Sequence, residues 1–486
     1  MNSKIIEYLR NQGYNPYSSF YPTIDLWISL WKGKTEFHKY KVNYGDRTYD
    51  MEMYSLGMPQ RIANDWANIC WSEKDTIVTS TKNQKYLDDK LEEIKFNNLL
   101  QNAIEKSAYS GTCGAILRVK NAKLINGELT TDKFTKYDLI TMRADQIIPL
   151  RVEHGKIIDC AFISETRIQD KKVYYIEIHE LVKRTDKDTQ EEYMTYKISN
   201  IYIDRDGKEV PNEKVLREFY TKSEIPLFSI LTPPIDNPYP EANGLGFAIY
   251  GNAIDQIYGV DIAYNNFVMD YYLGGKKIFY NKKLCRQDEN GNVIYPTEVQ
   301  KQQWQIVGDE MENANDGALI HEYNPDLRVN DNTTGLQFNL DLLSFKSLLG
   351  NKYYEFNSNG SVVTATQYLG ERQDLTINAK KYRSNVDEFI TNICRGILLL
   401  GRILFKQNVN ENDKIEVENT DGFLISTEDL KETYMQEISA GLRSKVSYLM
   451  KFRGLSEEEA KKELALINEE DSLSSIDFEK GEEESN

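Results

Sequence analysis

Apolar positions recur at helical spacing over several stretches of the chain and at strand spacing over one. The segment from about Tyr54 to Trp71 offers Ile62, Trp66 and Ile69 at helix spacing, and a second helix from about Lys85 to Ser110 carries Leu87, Leu91, Ile94, Leu99 and Ile104. The second helix is predicted to stop at Gly111, before a strand over Ala115 to Val119. From about Tyr137 to Val210 the period changes. Lys156 to Ile163, Val173 to Ile178 and Tyr193 to Ile203 are rich in Ile, Val and Tyr and are separated by His154-Gly155, Arg184 to Gln190 and Asp206-Gly207, the pattern of an antiparallel meander. Pro233, Pro234, Pro238 and Pro240 then read as a linker between domains.

Helical spacing returns from Phe247 to Leu273, closed by Gly274-Gly275, and again through Phe338, Leu342, Phe345, Leu349, Tyr353 and Phe356. Between them, residues 276 to 337 break into short apolar pieces and read as a small inserted module. Leu375, Ala379, Tyr382, Val386, Phe389, Ile393, Ile397, Leu400 and Leu404 give the longest periodic run, predicting a helix from Ala365 to Phe405 with Thr364 and Gln367 as a capping box. Gly396 and Gly401 are expected to bend it near its end. A short strand over Lys414 to Val417 and helices over Thr427 to Phe452 and Ser456 to Glu470 complete the prediction, Ser456 with Glu459 forming a second capping box. The fold class is α+β, multidomain.

Composition narrows the function classes. The 486 residues carry a formal charge of −17, with 40% hydrophobic and 11% aromatic side chains, which excludes a wholly disordered chain. The acidic balance disfavours tight, sequence-independent gripping of nucleic acid, which depends on many Lys and Arg contacts to phosphate. From Ser456 onward, 12 acids face 3 basic residues, and the last fifteen or so residues are expected to be disordered. Five separated cysteines, Cys70, Cys113, Cys160, Cys285 and Cys394, without a CxxC pair or a signal-like start, read as reduced thiols of a cytosolic product. The most apolar run, Ile397 to Phe405, contains Arg402 and is too short to span a bilayer, so no membrane partner is expected.

Candidate chemistry is sparse. His38, His154, His179 and His321 lie in separate segments with no metal-ligand spacing. Ser110-Gly111-Thr112-Cys113-Gly114 has the outline of a nucleophile turn but also of a helix-to-strand joint, the better reading. Asp88 or Asp89 with Glu93-Ile94-Lys95 faintly matches a metal-dependent nuclease cluster, yet all of it falls on one amphipathic helix. Gly274-Gly275-Lys276-Lys277 lacks phosphate-loop spacing and follows a helix instead of preceding one. No catalytic residue, metal or cofactor is expected. Between Lys222 and Lys276, 53 residues contain no Lys or Arg and six acids: Glu224, Asp236, Glu241, Asp255, Asp261 and Asp270. A buried helix would explain this, and so would a surface that must not hold DNA.

Asn243-Gly244-Leu245-Gly246-Phe247-Ala248-Ile249-Tyr250-Gly251-Asn252-Ala253-Ile254-Asp255-Gln256-Ile257-Tyr258-Gly259-Val260-Asp261 resembles the central signature of portal proteins, the head-to-tail connectors of tailed bacteriophages infecting Gram-positive bacteria. Val363-Thr364-Ala365-Thr366-Gln367, Gly441-Leu442-Arg443-Ser444-Lys445 and Gly454-Leu455-Ser456-Glu457-Glu458-Glu459-Ala460 resemble further motifs of that family, and the likeness in element order covers roughly residues 50 to 470. The resemblance implies an α+β wing over 1–242, a first stem helix over 243–275, a clip over 276–337, a second stem helix over 338–357, a tunnel loop over 358–364 and a long kinked helix over 365–405. A wing return strand over 406–426, a helical crown over 427–470 and an acidic disordered tail over 471–486 would follow.

It further implies a homo-oligomeric ring, of twelve subunits in that family, at one capsid vertex of the virion, made in the host cytoplasm. Double-stranded DNA would pass transiently and without sequence preference. A terminase packaging motor, a head-completion or tail adaptor, and the major capsid and scaffolding proteins would be the other partners. The DNA-facing tunnel loop would be Ser358, Asn359, Gly360, Ser361, Val362, Val363 and Thr364, and Asp255, Asp261 and Asp270 are candidates for an acidic stem lining. A cationic bore would hold a sliding duplex, whereas an acidic or neutral polar one lets it pass. The rival readings are a minor head or head-tail adaptor protein without a DNA channel and, more remotely, a metal-dependent nuclease.

Overall fold

The computed structural model describes residues 3–44, 46–71, 75–125, 128–168, 170–185, 190–212, 215–281, 289–290, 304–307, 320–355, 373–418, 427–455 and 458–467. The chain divides into two compact units, Met1–Glu418 and Asn419–Asn486.

The first unit begins with helices α1 (Ser3–Asn11) and α2 (Tyr21–Lys32), a hairpin of β1 (Lys39–Tyr44) and β2 (Arg47–Glu52), and α3 (Met58–Cys70), which starts behind Gly57 with a proline in its first turn. Strand β3 (Thr76–Val78) and helices α4 (Thr81–Glu93) and α5 (Phe96–Ser110) follow. The single helix expected over Lys85 to Ser110 is thus two, because Lys95 takes a left-handed conformation (φ 53) that breaks the hydrogen-bond ladder between them. The aromatic N-terminal region is core: Trp27 and Trp66 are fully buried, and Trp31 stacks on Tyr109 at 4.3 Å.

From α5 the chain turns at Gly111 (φ 83) into β4 (Cys113–Lys120), then the small hairpin β5 (Lys123–Ile125) and β6 (Glu128–Thr130), and β7 (Lys136–Arg143). Strands β8 (Ile147–Glu153), β9 (Lys156–Ile168), β10 (Lys171–Thr185), β11 (Glu192–Ile203) and β12 (Glu218–Tyr220) form the antiparallel meander the alternation predicts, in the order β12-β11-β10-β9-β8. His154 (φ 51) and Gly155 (φ 78) make the two-residue turn between β8 and β9, which gives that histidine a backbone role. Strand β13 (Phe228–Leu231) joins β4 and β7 in a second sheet, order β13-β4-β7.

The prolines after β13 do not separate two domains. Asn237 donates its side-chain amide to the carbonyls of Leu245 and Gly246 (2.9 and 3.0 Å), and both flanks belong to the same compact unit. Helix α6 (Ile254–Leu273) is shorter than the periodicity predicts, since residues 243–250 are turn and coil with Leu245 and Phe247 to Tyr250 buried, and Gly251–Ala253 is a single 3-10 turn. A three-stranded sheet, order β15-β14-β16, is built from β14 (Lys277–Asn281), β15 (Trp304–Val307) and β16 (Ile320–Tyr323). Helix α7 (Val329–Lys346) lies earlier than the expected 338–357 and stops where Leu348 (φ 65) and Gly350 (φ 82) turn left-handed.

Helix α8 (Gln373–Ile403) runs 31 residues, about 46 Å, with residues 365–372 of the expected helix outside the described part. It continues through Gly396 and Gly401 without interruption, and close packing accounts for both glycines: a Cβ at 401 would stand 2.8 Å from the ring of Tyr86, one at 396 3.3 Å from Leu117. Strand β17 (Glu416–Glu418) then returns to pair antiparallel with β3.

The second unit holds α9 (Thr427–Ser439), α10 (Lys445–Arg453) and a helix over 458–467. Its two resembling motifs are helix boundaries. Gly441 (φ 73) and Gly454 (φ 68) follow helix ends, and the Ser444 hydroxyl accepts from the Ser447 backbone N–H as an N-cap. Tyr434 packs edge-on against Phe452 at 4.9 Å, with the Arg443 guanidinium 3.8 Å above the Tyr434 ring. The Ser456 capping box and the tail 471–486 lie outside the described residues.

Candidate functional site

The signature segment folds as a dock followed by a helix. Asn243 (φ 49) and Gly244 (φ 84) reverse the chain, and Gly246 then meets the Ser110–Gly114 turn backbone to backbone. A Cβ on Gly246 would stand 2.3 Å from the Gly111 carbonyl oxygen, and one on Gly111 2.7 Å from that of Gly246, so neither position accepts a side chain. Gly246 donates its N–H to Thr112 Oγ1 (2.8 Å), Ile249 donates to the Ala108 carbonyl (2.8 Å), and the buried Tyr250 hydroxyl reaches the carbonyls of Trp27 (2.9 Å) and Tyr109 (3.2 Å). The suspected nucleophile turn is therefore a socket. Ser110 donates to the Lys106 carbonyl at 2.7 Å, and burial pushes the Cys113 thiol up to about 12.

Helix α6 leaves this dock with Asp261 on its inner face, buried at 2% exposure. His38 Nε2 stands 2.9 Å from its carboxylate, Ser55 Oγ donates to both oxygens at 3.1 Å, and the Leu56 N–H donates at 2.7 Å. Because Thr35 N–H donates to His38 Nδ1 (2.9 Å), the ring proton belongs on Nε2, pointing at Asp261. One turn on, Asn265 Oδ1 accepts from the Tyr54 N–H at 3.1 Å. The two ends of the β1–β2 hairpin are thereby clamped to one helix.

Helix α7 packs along α6. Gly259 makes room for Asn339, whose Oδ1 would lie 2.6 Å from an added Cβ. At the other end Arg328 grips Asp270 with Nε (3.1 Å) and Nη2 (2.5 Å), and Asn332 donates at 2.7 Å. The Arg328 fork, with Asn332 beside it, holds the Asp270 carboxyl below the usual carboxylate range. On the side of α7 away from its buried Leu340, Leu343 and Ser344, Phe338, Leu342 and Phe345 form an exposed ladder at spacings of four and three, the two phenylalanines being 64% and 55% accessible. Ile262, Tyr271, Tyr272 and Leu273 of α6 are exposed as well. Soluble monomers rarely leave a run of large apolar side chains such as Phe338, Leu342 and Phe345 exposed along one helix.

The structure separates the three acids suggested for a stem lining. Asp255 is exposed. Asp261 is not available to any lining, because it is spent on the chain's own interior. Asp270 is offset by Arg328, a cation from beyond the Lys-free and Arg-free stretch, so that stretch is not cation-free in space. The tunnel-loop residues Ser358, Asn359, Gly360, Ser361, Val362, Val363 and Thr364 lie outside the described residues.

The weaker motifs resolve into structural parts. Asp88 and Lys95 line a cleft of about 600 Å³ with Glu92 and Trp71, but Glu93 is paired with Lys90 at 2.7 Å and Asp88 accepts from Gln84 at 2.9 Å. Gly274 closes α6 by donating to the Asp270 carbonyl (2.7 Å), and Lys276 pairs with Glu322 (2.6 Å). Cys70, Cys113, Cys160 and Cys394 are buried free thiols, each pushed up by burial, and Cys285 lies outside the described residues. His179 is buried with its Nε2 2.9 Å from Glu177, and His321 belongs to β16. Among the described residues no three His, Cys, Asp or Glu side chains are grouped to hold a metal ion, and no helix is long and apolar enough to cross a membrane.

The sequence reasoning missed two features. The His38–Asp261 pair joins residues 223 positions apart and leaves no local signal. The alternation through residues 39–52 was visible: Tyr40, Val42, Tyr49 and Met51 against Lys39, Lys41, Asp50 and Glu52.

No family model matches the chain, and no curated protein matches it. Among solved structures it is similar to a chain from the virion of a native gene transfer agent particle, with 11% identity over 94% of this chain and 99% of that one and a TM-score of 0.41. It is also similar to a chain from the neck of a native gene transfer agent particle computed with C12 symmetry, with 10% identity over 90% of this chain and 94% of that one and a TM-score of 0.40.

Proposed function

We propose that this chain is a portal subunit: a non-enzymatic protein that closes into a ring at one vertex of a phage-type capsid and conducts double-stranded DNA during packaging and ejection. The observation that carries this reading is the α6–α7 pair, anchored by the signature residues on one side and bearing the uncovered ladder Phe338, Leu342 and Phe345 on the other. A cyclic assembly covers such a face on every copy. The three-stranded module between the helices would be the clip, offered to the packaging motor and tail adaptor, and the loop 358–364 would face the bore. The chain has no Walker motif, so a separate ATPase would drive transport.

Cryo-electron microscopy and native mass spectrometry of the purified full-length protein test this. A closed ring with an axial opening of about 20 Å or wider is the expected result. A protein that stays monomeric at high concentration rejects it and leaves the adaptor reading. Magnesium-dependent DNA cleavage by the wild type, lost in Glu93→Ala, would establish the nuclease reading instead.

A further inference from the structure

The β1–β2 hairpin is an amphipathic ribbon with its apolar face uncovered. Its register pairs Tyr40 with Met51 and Val42 with Tyr49 on one face, and Lys39 with Glu52, Lys41 with Asp50 and Asn43 with Thr48 on the other. The polar face is satisfied within the chain: Thr48 donates to Asn43 at 2.9 Å, Lys41 lies 3.8 Å from Asp50, and Lys34 reaches Glu52 at 3.0 Å. On the apolar face, Val42, Tyr49 and Met51 are 42%, 46% and 41% exposed, and no comparable partner covers them among the described residues. The two strands form a sheet of their own, with no third strand on either edge among the described residues. A two-stranded ribbon of this kind is marginal in water and gains its stability from something that covers it.

The occupant follows from what else is uncovered. The hairpin springs from α6, to which His38 and Tyr54 clamp its two ends, and α7 lies along that same helix with its ladder equally bare. The chain therefore carries two different apolar surfaces that do not cover each other. A heterologous contact, in which one patch of a copy meets a different patch of the next, covers both and repeats around a ring. Charge agrees with this pairing. Arg47 stands near the hairpin tip on the apolar face, and the α7 ladder runs back to the exposed Asp331, seven residues before Phe338.

We infer that the hairpin of one copy lays Tyr40, Val42, Tyr49 and Met51 across the Phe338, Leu342 and Phe345 ladder of the next copy, with Arg47 toward Asp331. This rests on the ring reading and adds to it the contact that gives the ring its direction. The test uses the full chain in a Cys285→Ser background, treated with a bismaleimide after purification. The double variant Met51→Cys with Leu342→Cys is expected to give a ladder of dimers, trimers and higher multiples on a denaturing gel, and a mixture of the two single variants dimers only. Rings intact by native mass spectrometry that yield no ladder, only dimers, or only internally linked monomers overturn the docking and leave the ring reading standing. A monomeric wild type defeats both. Independently, Val42→Asp with Met51→Asp should raise the concentration for half-assembly at least tenfold with an unchanged far-UV circular dichroism spectrum, and unchanged assembly overturns the inference.

Discussion

Asp261 shows how one side chain decides whether an acidic helix faces inward or outward. Its carboxylate receives donors from His38, Ser55 and Leu56, and all are lost together if it is truncated. Asp261→Ala should cost about 3 kcal/mol in urea unfolding, because buried donors left without an acceptor carry their full desolvation penalty. Asp255→Ala, at an exposed position, should change stability by less than about 0.5 kcal/mol. A second buried acid sets the behaviour in acid. Burial alone would raise Glu177, but His179 bonding at 2.9 Å, with Arg118 at 2.5 Å in an ion pair off the hydrogen-bond direction, brings it down to about 2. A carboxyl lower in the folded than in the unfolded state stabilises the fold above its ordinary value near 4.5, and that stability is lost as pH falls from there toward 2. The contribution is on the order of 3 kcal/mol at neutral pH. Urea midpoints should therefore fall across that window, and fall less steeply in Glu177→Gln.

At the scale of elements, the glycines of the signature are places where two pieces of backbone or two helices touch. Gly246→Ala would put a methyl group 2.3 Å from the Gly111 carbonyl oxygen and should destabilise by about 3 kcal/mol in urea unfolding, whereas Gly275→Ala, with open space around it, should be nearly neutral. The same distinction explains how much was legible beforehand. The meander and α8 announce themselves through long uninterrupted periods, and they form where those periods lie. The break between α4 and α5 rests on one left-handed lysine, and the early start of α7 on its packing along α6 and the Arg328 fork on Asp270, neither of which leaves a period in the sequence. The proline cluster misled for a related reason. Prolines report the absence of helix and sheet, and it takes the contacts of the Asn237 side chain with the next turn and of Tyr239 with Phe20 to reveal that this coil is packed. Of the candidate site, the helix pair could be read from its spacing, but which of its acids stay exposed could not, since Arg328 and His38 arrive from distant segments.

At the scale of the whole molecule, charge and assembly meet. If the chain closes around DNA as proposed, its net charge of −17 would repel the duplex at long range, and a bore lined by a loop without Lys or Arg would hold it nowhere, a balance that suits passage more than binding. The loop Ser358 to Thr364 is the place to test this, because it contains neither Lys nor Arg. Replacing Asn359 and Ser361 by Lys adds two cations per subunit, repeated around the ring. Each one that meets a phosphate releases a counterion, so the resulting attraction weakens steeply as salt rises. The double variant should assemble rings like the wild type by native mass spectrometry but package DNA more slowly at low salt, and the defect should shrink as ionic strength increases. Both halves of that result are needed. Packaging that is slow at every salt concentration would indicate a distorted ring, and packaging that is unchanged would take this loop out of the bore.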